Sequence, residues 1–148
     1  MGKQEQADFT VGIVSWRDAG AALIALRTEV FVHEQGVPPE LEQDGRDPAC
    51  AHVEAHDASG AVIGTGRLMP DGRIGRMAVR ASWRGRGVGG AMLAALVGEA
   101  RQRGMSEAYL HAQWHARDFY ARHGFEAEGD AFSEAGIAHI NMRQRLAP

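Results

Sequence analysis

The chain has 148 residues, 45% of them hydrophobic and 24% charged, with a formal net charge of −3. That length suits a single domain over residues 1–148 with a sizeable core, and the charge gives no electrostatic case for binding nucleic acid. One cysteine, Cys50, excludes an internal disulfide and suits a reducing cytoplasm, and no apolar run approaches the ~20 residues that a bilayer span needs.

Met1-Gly2 opens like a myristoylation site, but Gln6 stands where serine or threonine is wanted, and Met1 to Asp8 lacks the apolar core of a signal peptide. Val11 to Trp16 reads as a first strand. Asp18 is the expected cap of a helix whose apolar positions Ala19, Ala22, Leu23, Leu26 and Val30 follow the 3.6-residue period to about Phe31 or His33. Gln35-Gly36-Val37-Pro38-Pro39 breaks it, Glu40 to Gln43 reads as one further turn, and Gly45 to Ala49 as a loop. Ala51 to His56 and Ala61 to Leu68 flank the turn Asp57-Ala58-Ser59-Gly60, which predicts a hairpin. Pro70-Asp71-Gly72 turns the chain into a third antiparallel neighbour, Ile74 to Val79.

Three glycines then follow at Gly85, Gly87 and Gly89, interleaved with Arg84 and Arg86, before a helix marked by Ala91, Met92, Ala95, Leu96 and Ala100 and stopped by Gly104. Ala108 to Ala112 alternates as a fifth strand. His115 to His123 predicts a short helix closed by Gly124. Phe125 to Glu128 and Ala138 to Arg143 read as the last strands, joined by a loop through Phe132-Ser133-Glu134-Ala135-Gly136.

A strand, a glycine loop and a helix N-terminus together make an anion site. Glycine exposes backbone amides without a β-carbon in the way, and the helix dipole favours phosphate. The loop lacks the Gly-Lys-Ser/Thr of a P-loop. It also lacks the acidic residue that a dinucleotide fold carries about twenty residues on. Seven histidines raise a metal question, but His111-x-x-x-His115 straddles a strand end and a lone cysteine supplies no zinc pattern, so no metal is expected.

Arg84-Gly85-Arg86-Gly87-Val88-Gly89 resembles the Arg/Gln-x-x-Gly-x-Gly/Ala pyrophosphate loop of the GNAT superfamily of N-acetyltransferases, and Phe119-Tyr120-Ala121-Arg122-His123-Gly124-Phe125 resembles its Phe-Tyr-x-x-x-Gly-Phe segment. Arg27 to Asp47, His111-Ala112-Gln113 and Gly136-Ile137-Ala138-His139-Ile140 are similar to the ElaA/YjcF-like branch of small bacterial GNAT proteins. The resemblance covers nearly the whole chain. It implies an α/β fold with a mixed, mostly antiparallel central sheet, splayed between strands 4 and 5 and flanked by helices. It also implies transfer of acetyl from acetyl-coenzyme A to a small-molecule or protein amine by direct attack, and it is compatible with a homodimer.

On that resemblance Arg84, Gly85, Arg86, Gly87, Val88 and Gly89 hold the coenzyme A pyrophosphate. Met77, Ala78 and Val79 pair with pantetheine, with Gln113, Phe119 and Tyr120 beside it. Tyr120 is the expected catalytic acid, since a phenol with a reference pKa near 10 is protonated at neutral pH and can give a proton to the departing thiolate. The strand Arg73-Ile74-Gly75-Arg76 lacks the glutamate base that several GNAT proteins carry, so deprotonation relayed by water or assisted by substrate is one route. His111 shares a strand face with Gln113 and is a candidate base. Phe31, Glu34, Asp44, His52, His111 and His139 are the expected lining of the acceptor cleft. Arg27, Phe31 and Glu42-x-Asp44-x-x-Asp47 also resemble acyl-homoserine lactone synthases, although the chain is short for that family and lacks its tryptophan after the first helix. A sensor that binds coenzyme A without turnover is the third reading.

Overall fold

The computed structural model describes residues 8–146. The reading of Gly2 and Gln6 therefore lies outside the described residues. Strand β1 (Phe9–Val14) runs into helix α1 (Trp16–Arg27), which is capped by Ser15, whose hydroxyl accepts from the Arg17 amide at 3.2 Å. Asp18 is thus not the cap: it sits in the first turn, where its charge complements the helix dipole. The helix continues as a π-helical segment, Thr28–Glu34, and after a break at Gly36 comes the single turn α2 (Pro39–Glu42).

Strands β2 (Ala51–Asp57), β3 (Val62–Leu68) and β4 (Ile74–Val79) complete an antiparallel four-stranded sheet in the order β1-β2-β3-β4. Helix α3 (Val88–Gln102) covers one face of it, with Met92, Leu93 and Leu96 fully buried. The strand beneath carries glycine where α3 comes closest. A β-carbon on Gly66 would meet the Met77 sulfur at 2.5 Å and Leu96 at 3.1 Å. Helix α1 packs on the same sheet through Leu23 and Leu26.

A second sheet of three strands, ordered β5-β7-β6, is formed by β5 (Glu107–Gln113), β6 (Glu126–Glu134) and β7 (Ile137–Arg145), with the short helix α4 (Arg117–Arg122) between β5 and β6. β6 is longer than the sequence suggests. It passes an irregularity between Glu128 and Phe132 and regains its register on β7, so Phe132-Ser133-Glu134 is strand rather than loop. Among the described residues the two sheets meet at one parallel bridge, Arg73 to Tyr109, where the Tyr109 amide donates to the Gly72 carbonyl at 3.0 Å. No further β4–β5 ladder exists among the described residues, so β4 presents an unpaired edge there. Among the described residues no helix is long and apolar enough to cross a membrane.

Candidate active site

The glycine loop is built as its composition requires. Gly85 and Gly87 have φ of 76° and 89°, a left-handed conformation that a β-carbon disfavours, and Gly87 is the N-cap of α3. Ala91 donates back to the Gly87 carbonyl, but the successive amides of residues 85–90 donate to no acceptor among the described residues. Free amides at a helix start are what an anion needs. Gly89 and Gly90 also let α4 come close: a β-carbon would meet the Phe119 ring at 3.7 Å and the His123 ring at 2.9 Å respectively. The loop is thereby held against Phe119, whose ring centroid lies 5.1 Å from that of Tyr120.

The arginines of the loop are engaged elsewhere. Arg84 donates from Nε to the Val79 carbonyl at 2.9 Å and grips both carboxylate oxygens of Glu34 at 2.5 and 2.7 Å. Arg86 stacks over Trp83 at 3.9 Å and reaches Asp8 at 3.2 Å. Met77 faces a cavity of about 770 Å³, Ala78 is buried in the core, and Val79 pairs with Gly64 of β3.

That cavity opens between the two sheets. Tyr120 and Gln113 line it at one end, with Phe31, Asp44, His111 and His139 around it. Burial pushes the Tyr120 phenol above its ordinary value, and its hydroxyl has no hydrogen-bond partner among the described residues. Two expected lining residues are corrected. Glu34 is turned to Arg84 outside the cavity, because a bidentate ion pair is available there. His52 is 1% exposed, stacks on Trp16 at 4.5 Å, and places Nε2 2.9 Å from the Asp47 carbonyl, so its role is structural.

Asp44 does border the cavity, but as part of a buried ion cluster that sequence reading did not assemble. Arg27, 1% exposed, donates to Glu42 Oε2 at 2.5 Å and to both Asp47 oxygens at 2.9 and 3.0 Å. Arg67 donates to Asp47 at 3.0 Å and to the two Asp44 oxygens at 3.0 and 2.6 Å. Arg76, in β4 at φ 50°, donates to the Glu42 and Leu41 carbonyls. Hydrogen bonding from Arg67 holds the Asp44 carboxyl well below the usual carboxylate range. Burial pushes Asp47 up, but Arg27 and Arg67 more than reverse it. The charged residues behind the likeness to acyl-homoserine lactone synthases, Arg27, Glu42, Asp44 and Asp47, are thus engaged in this cluster, although Glu42 Oε1 is buried without a hydrogen-bond partner among the described residues. The signal that could have found the cluster is the acidic spacing Glu42-x-Asp44-x-x-Asp47 itself, since three closely spaced carboxylates call for cations to face them.

Sequence reading also missed Glu134 and Arg73. Glu134 Oε1 lies 2.8 Å and Arg73 Nη2 3.1 Å from Nδ1 of His111, whose ring is packed edge-on by Phe132 at 5.2 Å. Partial burial pushes the Glu134 carboxyl up, and the contact with His111 brings it to a net lowered value. Tyr109 donates to Asp71 at 2.6 Å on the same wall. Among the described residues no group of three His, Cys, Asp or Glu side chains is placed to hold a metal ion.

A glycine loop with free amides at the start of α3, beside a cavity between the two sheets that Tyr120 lines, belongs to an α/β fold of two antiparallel sheets flanked by helices. The family model of the acetyltransferase (GNAT) domain matches residues 5–146, and the chain belongs to that family. It is 40% identical over 121 residues to the uncharacterized N-acetyltransferase YjcF of Bacillus subtilis, covering 79% of this chain and 86% of YjcF. Among solved structures it is similar to an acyl-CoA N-acyltransferase from Pseudomonas aeruginosa, with a TM-score of 0.81 at 32% identity over 92% of this chain and 99% of that one. Escherichia coli ElaA gives a TM-score of 0.81 at 26% identity, with the same coverage of each chain. The expected ElaA/YjcF-like branch is thereby shown.

Proposed function

We propose that the protein transfers an acetyl group from acetyl-coenzyme A to an amine acceptor by direct attack. The observation that carries this reading is the run of unpartnered amides over residues 85–90 at the start of α3, held by Phe119 against the tyrosine that lines the cleft. Those amides would hold the pyrophosphate, and the free edge of β4 near Met77 and Ala78 would pair with pantetheine. Bound acetyl-coenzyme A supplies an acyl group already activated as a thioester.

The chain's own part is to position and to move protons. β4 and β5 hold the donor arm between them, and Tyr120 keeps a proton on its hydroxyl for the leaving sulfur. Cys50 lies outside the cavity and is held by the Arg46 carbonyl at 3.3 Å, and direct attack needs no enzyme thiol. The family membership and the likeness to an acyl-CoA N-acyltransferase support the donor class. The test is calorimetry with coenzyme A, followed by thiol release from acetyl-coenzyme A across a library of polyamines, amino sugars, aminoglycosides and lysine peptides. Tight coenzyme A binding without turnover on any amine would leave the sensor reading standing instead.

A further inference from the structure

His111 is held by two groups that require opposite tautomers. A carboxylate accepts only from a protonated Nδ1, and Glu134 Oε1 stands 2.8 Å from that nitrogen. A guanidinium donates only to an unprotonated one, and Arg73 Nη2 stands 3.1 Å from the same atom. The carboxylate contact is shorter. Arg73 also lies 3.9 Å from Glu134, so its charge can be met there without the imidazole. Nδ1 therefore keeps the proton. In the neutral ring Nε2 then carries the lone pair; it has no partner among the described residues and belongs to a ring lining the cleft that Tyr120 also lines. Phe132 packs edge-on against the imidazole at 5.2 Å and stacks on His139, which is itself tied through Nδ1 to the Ile137 carbonyl at 2.8 Å. The ring has little freedom to turn.

We propose that His111 takes the proton from the acceptor nitrogen, and that Glu134 is its positioning residue, choosing the Nε2 lone-pair tautomer against the competing pull of Arg73. The proposal rests on the acyl-transfer reading above. The acceptor binds as the free amine. Its nitrogen bonds to the acetyl carbon as the carbon–sulfur bond breaks, the N–H proton passes to His111 Nε2, and the thiolate takes the Tyr120 proton. A proton returned through water from imidazolium to phenolate restores both groups, so no net proton is consumed. This places base and acid on one cleft without the β4 glutamate that the strand lacks.

The charged and titratable groups around His111 are Glu134 from β6, Arg73 from the turn before β4, His139 from β7, and Tyr109 with Asp71 below it. The test uses the full chain labelled with ¹⁵N-histidine. NMR should show His111 as the Nδ1–H tautomer in the wild type. In Glu134→Ala only Arg73 remains to address Nδ1, so the tautomer should flip to Nε2–H, and adding Arg73→Ala should relax that preference. Glu134→Gln keeps an accepting oxygen but loses the charge. The Nδ1–H tautomer should therefore stay, and a flip to Nε2–H in Glu134→Gln would overturn the assignment of Glu134.

With the amine that the library screen identifies, His111→Gln should lower kcat by about 10²–10⁴-fold with KM for acetyl-coenzyme A little changed. A wild-type Nε2–H tautomer, an unaltered tautomer in Glu134→Ala, or near-normal kcat in folded His111→Gln would each overturn the proposal. Failure to acetylate any amine would instead count against the acyl-transfer reading, while the tautomer measurement, which needs no acceptor, still decides the role of Glu134.

Discussion

Replacing Tyr120 with phenylalanine deletes one proton and nothing else of consequence. The hydroxyl has no hydrogen-bond partner among the described residues, so its loss should cost less than the ~0.5–1.5 kcal/mol of a typical hydrogen bond. The ring keeps its packing on Phe119 and Phe125, at 5.1 and 6.2 Å between centroids. Burial pushes the phenol above its reference near 10, whereas an ordinary thiol titrates near 8.5. Handing the proton to a free thiolate is then uphill by at least ~1.5 pK units, or about 2 kcal/mol. The acid's contribution should therefore sit toward the lower end of the usual range, a fall of about 10²-fold in kcat. A raised phenol also stays protonated to higher pH, so the wild-type rate should show no decline owed to Tyr120 below about pH 10. The assay is single-turnover thiol release over pH 6–10, which separates chemistry from product release. A near-normal single-turnover rate in the folded variant would make the hydroxyl a spectator. A wild-type basic limb well below pH 10 that vanishes in Tyr120→Phe would refute the burial argument.

Gly87→Glu should fold, since no atom lies within 4 Å of the added β-carbon and the left-handed strain is only about 1–2 kcal/mol. Its charge should nevertheless weaken coenzyme A binding by more than about tenfold by calorimetry. Arg27→Met should cost about 3 kcal/mol in urea unfolding, because it removes the short partner of the buried Glu42 carboxylate and leaves it Arg76 at 3.6 Å, and adding Glu42→Gln should recover part of that loss. Asp44 and Asp47 titrate below their unfolded values, so the cluster's stabilisation should be complete above about pH 4 and lost as the pH falls through the folded values; an acid titration of stability checks the sign. Cys50→Ser should keep its turnover, since burial pushes that thiol up and away from the reactive thiolate.

What could be read from the residues was what local chemistry specifies. Ile74–Val79 keeps the limits its apolar run suggests, and the glycine loop leads into a helix as expected, although the helix starts at Val88, before the first apolar position read at Ala91. Both Ser15 and Asp18 are capping types, and only the observed backbone shows that Ser15 holds that place. Asp44 reads by itself as lining of the acceptor cleft, and the pairing of Arg27, Glu42, Asp44, Asp47, Arg67 and Arg76 is not written in the sequence, because it depends on β3 and β4 bringing Arg67 and Arg76 to α1 and the loop after it. The end of β6 was hidden by its turn. Ala135 and Gly136 take φ of 54° and 77°, and an alanine in that conformation disguises a tight hairpin as a loop. The partner of His111 was hidden along with it, since Glu134 reaches the imidazole only as the last residue of a strand.

Arg76 connects the cluster to the cleft. Thr65 pairs with Ala78 and Arg67 with Gly75, so β4 spends one residue more than β3 over this stretch, and Arg76 takes up the excess at φ 50°. A left-handed arginine costs about 1–2 kcal/mol. Its guanidinium bonds to the Glu42 carbonyl at 3.1 and 3.2 Å, and hydrogen bonds involving a charged group contribute about 1.5–3 kcal/mol each, which is enough to offset the strain. The arginine therefore has a structural task in the strand Arg73-Ile74-Gly75-Arg76, where the resemblance implied a glutamate base that this chain lacks. On the proposed reading this divides the labour between the sheets. The four-stranded half and α3 hold the donor through backbone atoms, while β5 and α4 bring the proton-handling side chains, His111 and Tyr120, from the other half. Among the described residues the bridge between Arg73 and Tyr109 joins the halves beside Asp71 and His111. Arg73 thus sits both where the two sheets are joined and where the His111 tautomer is contested, so one residue ties the seam between the halves to the proposed base.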